Sequence, residues 1–255
     1  MIKLLKYDWK RNATVIWSAT VILLLVLIGL TTVGSLRDWE VDIVINFSIL
    51  VFAMSGLLAF LMVCQTFNYN IKAYSRRLLP LPTIYTIVSP IILLILVQLF
   101  IFLLFIAHLI IVQLIFVDYD EIILSTLREQ NFLELISIVL SVGWATIVAT
   151  IMIFFSIAIS KTIEGRGGTF LGIFVCLLLF ILPPYLAMII LPGFATENQS
   201  FSFFRLESIN SANGAVHYNI VPFESAQLLV LLYDSLILGA LLYGIVYMMK
   251  KKIKL

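Results

Sequence analysis

Residues 83–117 read TIYTIVSPIILLILVQLFIFLLFIAHLIIVQLIFV, 35 residues without a charged side chain. A hydrocarbon core of ~30 Å is crossed by ~20 helical residues at ~1.5 Å each. The stretch is too long for one crossing and too short for two with a turn between them. It predicts a single long helix that overhangs or tilts, with Pro90 close to its start. Apolar residues run without the alternation of a membrane strand, so the reading is helical.

Cutting the rest of the chain at its charges gives five more runs of spanning length: 14–34, 43–67, 135–160, 169–196 and, with the lone Asp234 tolerated, 225–249. The first exceeds the apolar core of a signal peptide, and Leu36-Arg37-Asp38-Trp39 after it is no cleavage site, so it counts as a permanent span. Pro183, Pro184 and Pro192-Gly193 in the fifth run remove backbone donors and predict a kink or break. The expected fold is an all-α membrane protein of six spans in one transmembrane domain, 1–255. The spans take about 160 of the 255 residues. The remaining 95 or so, divided among tails and loops, leave no room for a soluble catalytic domain.

Composition agrees. The chain is 62% hydrophobic and 12% charged, against about 45–50% and about 25% in soluble domains. A net charge of +2 gives no reason to expect nucleic acid as a partner. Cys64 and Cys176 both lie in apolar runs, which excludes a disulfide scaffold and a cysteine-rich metal site.

The distribution of charge carries more than its sum. Counted on alternating sides of the six spans, thirteen Lys and Arg fall with the termini and the 68–82 and 161–168 loops, and only Arg37, Arg128 and Arg205 fall on the other side. The positive-inside rule therefore places both termini in the cytoplasm of a multi-pass plasma-membrane protein. Eleven of the fourteen carboxylates, from Asp38, Glu40 and Asp42 to Glu207 and Glu224, lie on the opposite side. That outer face is anionic, either as the counterpart of basic inner loops or to attract a cationic substrate.

Two segments are neither span nor simple connector. In Ile2–Arg11, Lys3, Lys6 and Lys10 form one helical edge and Ile2, Leu5 and Trp9 the next. This predicts an interfacial helix against membrane lipid, lysines reaching headgroups and the Trp9 indole at the boundary. Tyr69–Leu79 has room for three helical turns, stopped by Pro80 and Pro82. On it Ile71, Tyr74 and Leu78 share a face beside the Lys72 and Arg76 edge. Such a piece suits docking to a cytoplasmic partner, or to lipid alone.

The opening Leu4-Leu5-Lys6-Tyr7-Asp8-Trp9-Lys10-Arg11, the six spans, and the basic loop running into Arg76-Arg77-Leu78-Leu79-Pro80-Leu81-Pro82 resemble the compact permease subunits of ATP-binding cassette exporters of the type-2 class. The resemblance in topology covers nearly the whole chain; at residue level it rests on those two segments. It implies that the first segment is an elbow helix and the second a coupling helix. The latter would engage a separate ATPase subunit through Lys72, Tyr74, Arg76, Arg77 and Leu78. It further implies a translocation path shared with a second permease subunit, identical or not, and ATP and Mg bound by the ATPase partner rather than by this chain. Only eight residues separate the first two spans here, where larger members carry an external domain.

Chemistry within the chain is sparse. Glu164-Gly165-Arg166-Gly167-Gly168 lacks the Gly-Lys-Ser/Thr end of a phosphate loop and reads as a turn between spans or a second ATPase contact. No zinc or serine-hydrolase motif accompanies His108 and His217, the only histidines, so neither enzymatic activity nor a metal is expected. His108, in a run with Gln98 and Gln113, reads as a packed, hydrogen-bonded residue or a proton carrier. Asp234 falls near the bilayer midplane, where a lone carboxylate costs about 2.5–3.5 kcal/mol on insertion scales. It is either a helix contact helped by Tyr233 and Ser235 or part of a translocation path or subunit interface. The leading expectation is export of amphipathic or cationic peptides, for secretion or self-protection. A non-transporting scaffold or sensor subunit and a proton-coupled transporter using Asp234 and His108 are the alternatives.

Overall fold

The computed structural model describes residues 2–72, 82–116, 132–163, 165–190, 205–210, 216–221 and 225–251. Its elements are α1 (Ile2–Leu36), α2 (Val41–Lys72), α3 (Ile84–Ile115), α4 (Phe132–Ser160), α5 (Arg166–Ile190), β1 (Arg205–Asn210), β2 (Val216–Val221) and α6 (Ser225–Lys251). All six helices are long and apolar enough to cross a membrane. The one addition to this all-α architecture among the described residues is a ribbon in which β1 and β2 pair antiparallel, Arg205 opposite Val221 and Asn210 opposite Val216. Residues 1–129 and 130–255 form two compact units.

In the first unit α1, α2 and α3 each pack on the other two. Leu23, Leu27 and Phe52 form its middle, closed by Ile101, Leu104 and Phe105. There the rings of Phe52 and Phe105 meet edge to face at 5.0 Å. Val41, Val44 and Val112 fill one end with Leu30, Trp39 and Phe116 around them. The contacts pair the start of α1 with the end of α2 and the start of α3, so α2 runs against the other two.

The α1–α2 connection is tighter than the eight residues expected. Trp39 N–H donates to the Gly34 carbonyl at 3.0 Å while Asp38 holds a left-handed φ of 48°. This six-to-one bond closes α1 as a Schellman cap, with aspartate where glycine is usual. Gly34 is required for a second reason: a Cβ there would lie 2.7 Å from a Val44 methyl.

Three expected boundaries move. The elbow segment is not a separate helix, because α1 continues from Ile2 to Leu36. Arg11-Asn12-Ala13-Thr14 contains no breaker, and the Asn12 amide donates back to the Asp8 carbonyl at 2.8 Å. The second run does not end at Phe67; α2 carries on to Lys72. Ile71, expected on a docking face, is instead 1% exposed within the first unit. Finally, of the kink or break expected at Pro183 and Pro184 the break does not occur, since α5 continues through both to Ile190. Apolar surroundings give a backbone no water to bond instead, which favours keeping the remaining helical bonds.

In the second unit α4 packs against both α5 and α6. A Cβ on Gly172 would lie 2.7 Å from that of Ser160 and 3.1 Å from the Ser156 carbonyl, so small residues set the α4–α5 approach. A Cβ on Gly244 would similarly lie 2.7 Å from the Phe155 ring on the α4–α6 side. Gly165, at φ +88°, immediately precedes α5, and Arg166, Gly167 and Gly168, expected in a turn between spans, are the first residues of that helix.

Candidate functional site

Along α1 the buried residues are Asp8, Asn12, Ile16, Leu23, Leu27, Thr31 and Gly34. Spacings of four and seven place the first five on one face, so the stripe that enters the core begins with a carboxylate and an amide. Asp8 is completely buried. Its Oδ2 accepts from Ser89 Oγ on α3 at 2.7 Å and from Asn70 Nδ2 on α2 at 3.5 Å. Arg11 Nη2 lies 3.8 Å from the other carboxylate oxygen.

The cluster continues on both sides. Arg11 Nη1 donates to Asn70 Oδ1 at 3.2 Å, and its guanidinium lies 4.3 Å over the Tyr69 ring. Asn12 Nδ2 donates to Thr66 Oγ1 at 3.0 Å, while the Thr66 hydroxyl donates to the Met62 carbonyl at 2.9 Å. Six side chains from three helices thus join around one buried carboxylate. A buried charge persists where its lone pairs are bonded, and removal of any partner leaves another group unsatisfied. The arrangement is a mechanical tie: apart from Arg11 Nη2, which meets Oδ1 only at 3.8 Å, each side-chain polar atom described is hydrogen-bonded to another group.

A second polar contact lies deeper in the first unit. Ser48 Oγ donates to the Val44 carbonyl at 2.7 Å and lies 2.8 Å from His108 Nε2. With the hydroxyl proton directed to Val44, the imidazole N–H donates to Ser48 Oγ. His108 is buried, and Phe52 packs beside it. The partner comes from α2, not from Gln98 or Gln113 on its own helix.

In the second unit Asp234 is 4% exposed on α6. Trp144 of α4 lies beside its carboxyl. Neither sequence neighbour helps it: Tyr233 Oη donates to the Pro183 carbonyl at 2.8 Å, and Ser235 Oγ to the Leu231 carbonyl at 2.7 Å.

Of the other expected residues, Lys3, Lys6 and Lys10 are exposed on the first turns of α1, and Trp9 is 37% exposed beside them. Ile2, expected on the lipid-facing apolar edge with Trp9, is 78% exposed, and the line that enters the protein core passes through Asp8. Lys72 closes α2 and is exposed. Tyr74, Arg76, Arg77 and Leu78 lie outside the described residues. Among the described residues no group of His, Cys, Asp or Glu is arranged to hold a metal.

No family model, curated protein or solved structure matches this chain. The site is therefore read from its own geometry. Sequence reasoning missed Asp8, Asn70 and Ser89. The signal available was Asp8 and Asn12 at i, i+4 in line with Ile16, an acid on the apolar stripe of a lysine-rich segment.

Proposed function

We propose that the chain is the membrane-spanning permease subunit of an ATP-driven exporter of the ATP-binding cassette type, paired with a second permease subunit and a separate cytoplasmic ATPase. The observation that carries this reading is the Asp8 cluster. The 73–81 connector leaves α2 just after Asn70 and enters α3 about two turns before Ser89. Asp8 bonds to both Asn70 and Ser89. A push on the connector is then delivered to three tied helices, as a coupling segment requires, instead of bending one.

Charge supports the same orientation in each unit. Lys3, Lys6, Lys10, Arg11 and Lys72 gather at the Asp8 end of the first unit, and Arg37 with Asp38, Glu40 and Asp42 lies at the other. In the second unit the close approach of Phe155 to Gly244 puts the end of α6, with Lys250 and Lys251, on the same side as Lys161. The positive-inside rule makes these ends cytoplasmic and the plasma membrane the site of action.

The ATPase engages the connector through Arg76, Arg77 and neighbours, closes on ATP, and shifts the paired permeases between inward and outward states. The acidic outer loops favour amphipathic or cationic peptides as the exported class. The test is ATP hydrolysis by the detergent-purified complex. Arg76→Glu with Arg77→Glu abolishes ATPase association and substrate-stimulated hydrolysis if the reading is right. Undiminished association would overturn it.

A further inference from the structure

A cavity of about 60 Å³ opens in the first unit between α1, α2 and α3. Val15 and Ala19 form one wall, Leu58 and Met62 a second, and Val97 and Phe100 the third. Two hydroxyls also line it, but both are spent on their own helices: Thr20 Oγ1 donates to the Ile16 carbonyl at 2.8 Å and Ser55 Oγ to the Phe52 carbonyl at 2.7 Å. Such walls do not hold water, which needs two to four polar partners. They suit a hydrocarbon. The groove is open along its side, where Val15 and Leu58 are 54% and 56% exposed. These two lips lie at membrane depth on helices suited to span a bilayer.

The groove also has a direction. Its α1 wall begins one helical turn from Arg11, and its α2 wall ends two turns before Tyr69. Arg11 stacked on Tyr69 therefore stands at its polar end. Lys6, Lys10 and Lys72 are exposed at that same end, and the carboxylate there, Asp8, is buried and already bonded. Arg11 and Lys72 put positive charge at the head of an apolar slot running ~12 Å down the helices. Anionic headgroups are drawn to such clusters, and an acyl chain fits such a slot.

We propose that this groove is a binding site for one anionic phospholipid, its headgroup at the Arg11–Tyr69 end and one acyl chain between Val15, Ala19, Leu58 and Met62. The bound chain supplies the wall that the protein lacks and stiffens the contact between α1 and α2 below the Asp8 cluster. The inference depends on the spans lying in a bilayer and not on the ATPase partner, so the two readings fail separately.

The chain is reconstituted in bilayer discs of equal parts phosphatidylglycerol and phosphatidylcholine, released into detergent, washed, and weighed by native mass spectrometry. One retained phosphatidylglycerol per chain is expected. Ala19→Phe, which fills the slot, and Ser55→Leu, which narrows it from α2, each cut retention at least fivefold. Leu25→Phe, at an exposed α1 position away from the groove, leaves it unchanged. Lys72→Gln lowers the anionic preference about fivefold, the effect of about 1 kcal/mol for one basic residue at a charged surface. Equal retention by the native chain and both slot variants overturns the proposal, as does equal uptake of the two lipids. A mass showing a second copy in place of lipid would also overturn it and assign the groove to subunit contact.

Discussion

Replacing Asp8 by Asn tests the tie between α1, α2 and α3 with little change in shape. In the native chain Oδ2 takes the Ser89 hydroxyl at 2.7 Å and the Asn70 amide at 3.5 Å, and Arg11 faces Oδ1 at 3.8 Å. Asparagine retains one acceptor but turns an NH₂ donor toward groups that are themselves donors. A hydrogen bond to a charged group contributes about 1.5–3 kcal/mol net, about 1 kcal/mol more than a neutral one. The ion pair adds less than a fully buried one would, because Arg11 is 24% exposed and its charge is screened. Together these give a loss of about 2 kcal/mol for Asp8→Asn and about 3–4 kcal/mol for Asp8→Ala, which leaves several buried donors without an acceptor.

At about 2–4 °C per kcal/mol for a chain of this size, Asp8→Asn lowers the detergent melting temperature by about 4–8 °C. Asp42→Asn, an exposed acid at the other end of the unit, serves as the control and moves it by ~1 °C or less. Adding Arg11→Gln to Asp8→Asn recovers part of the loss, since residues in one network couple by about 0.5–3 kcal/mol. Equal melting of Asp8→Asn and Asp42→Asn would refute the tie, and with it the route by which a push on the connector reaches α1.

Two further outcomes follow from the geometry. Gly172→Leu forces α5 away from Ser156 and Ser160 of α4, costing about 1–3 kcal/mol by overpacking, whereas Gly29→Ala, with nothing within 4 Å, is neutral or slightly stabilising; melting of the purified variants checks both. Asp38→Gly relieves a left-handed residue at φ 48° and stabilises the α1–α2 turn by about 1 kcal/mol, seen as a rise in melting temperature of about 2–4 °C.

The six helices were legible because the lack of charge over ~20 residues is a requirement of the hydrocarbon itself, independent of any neighbour. Their ends were not, because ends depend on contacts. A helix beginning at Tyr69 was legible, but not that its first residues continue α2, because that depends on the buried partners which Asn70 and Ile71 find in the first unit. Pro183 and Pro184 read as a break by local rules that assume water is available to replace lost backbone bonds. The amino-terminal segment read as an interfacial helix with Ile2, Leu5 and Trp9 toward lipid, and nothing in that reading marked the line through Asp8 and Asn12 that packing buries. Polar burial of this kind needs Asn70 and Ser89 to be supplied from 62 and 81 residues away. The β1–β2 ribbon had an unread signal in Asn213-Gly214, a turn-forming pair just before the β-branched Val216, Ile220 and Val221. His108 and Asp234 stood out in sequence as polar groups in apolar runs, but Ser48 and Trp144, which face them, carry no such mark.

The central claim is that this chain is one half of an ATP-driven machine. Its most direct test is affinity purification of the tagged chain from native membranes in mild detergent, with the stoichiometry of everything retained measured by mass spectrometry. The account predicts a stoichiometric soluble ATPase carrying a phosphate-binding Gly-Lys-Ser/Thr loop, lost on charge reversal of Arg76 and Arg77. Recovery of the intact chain with no ATPase at any detergent concentration that preserves its fold would contradict it.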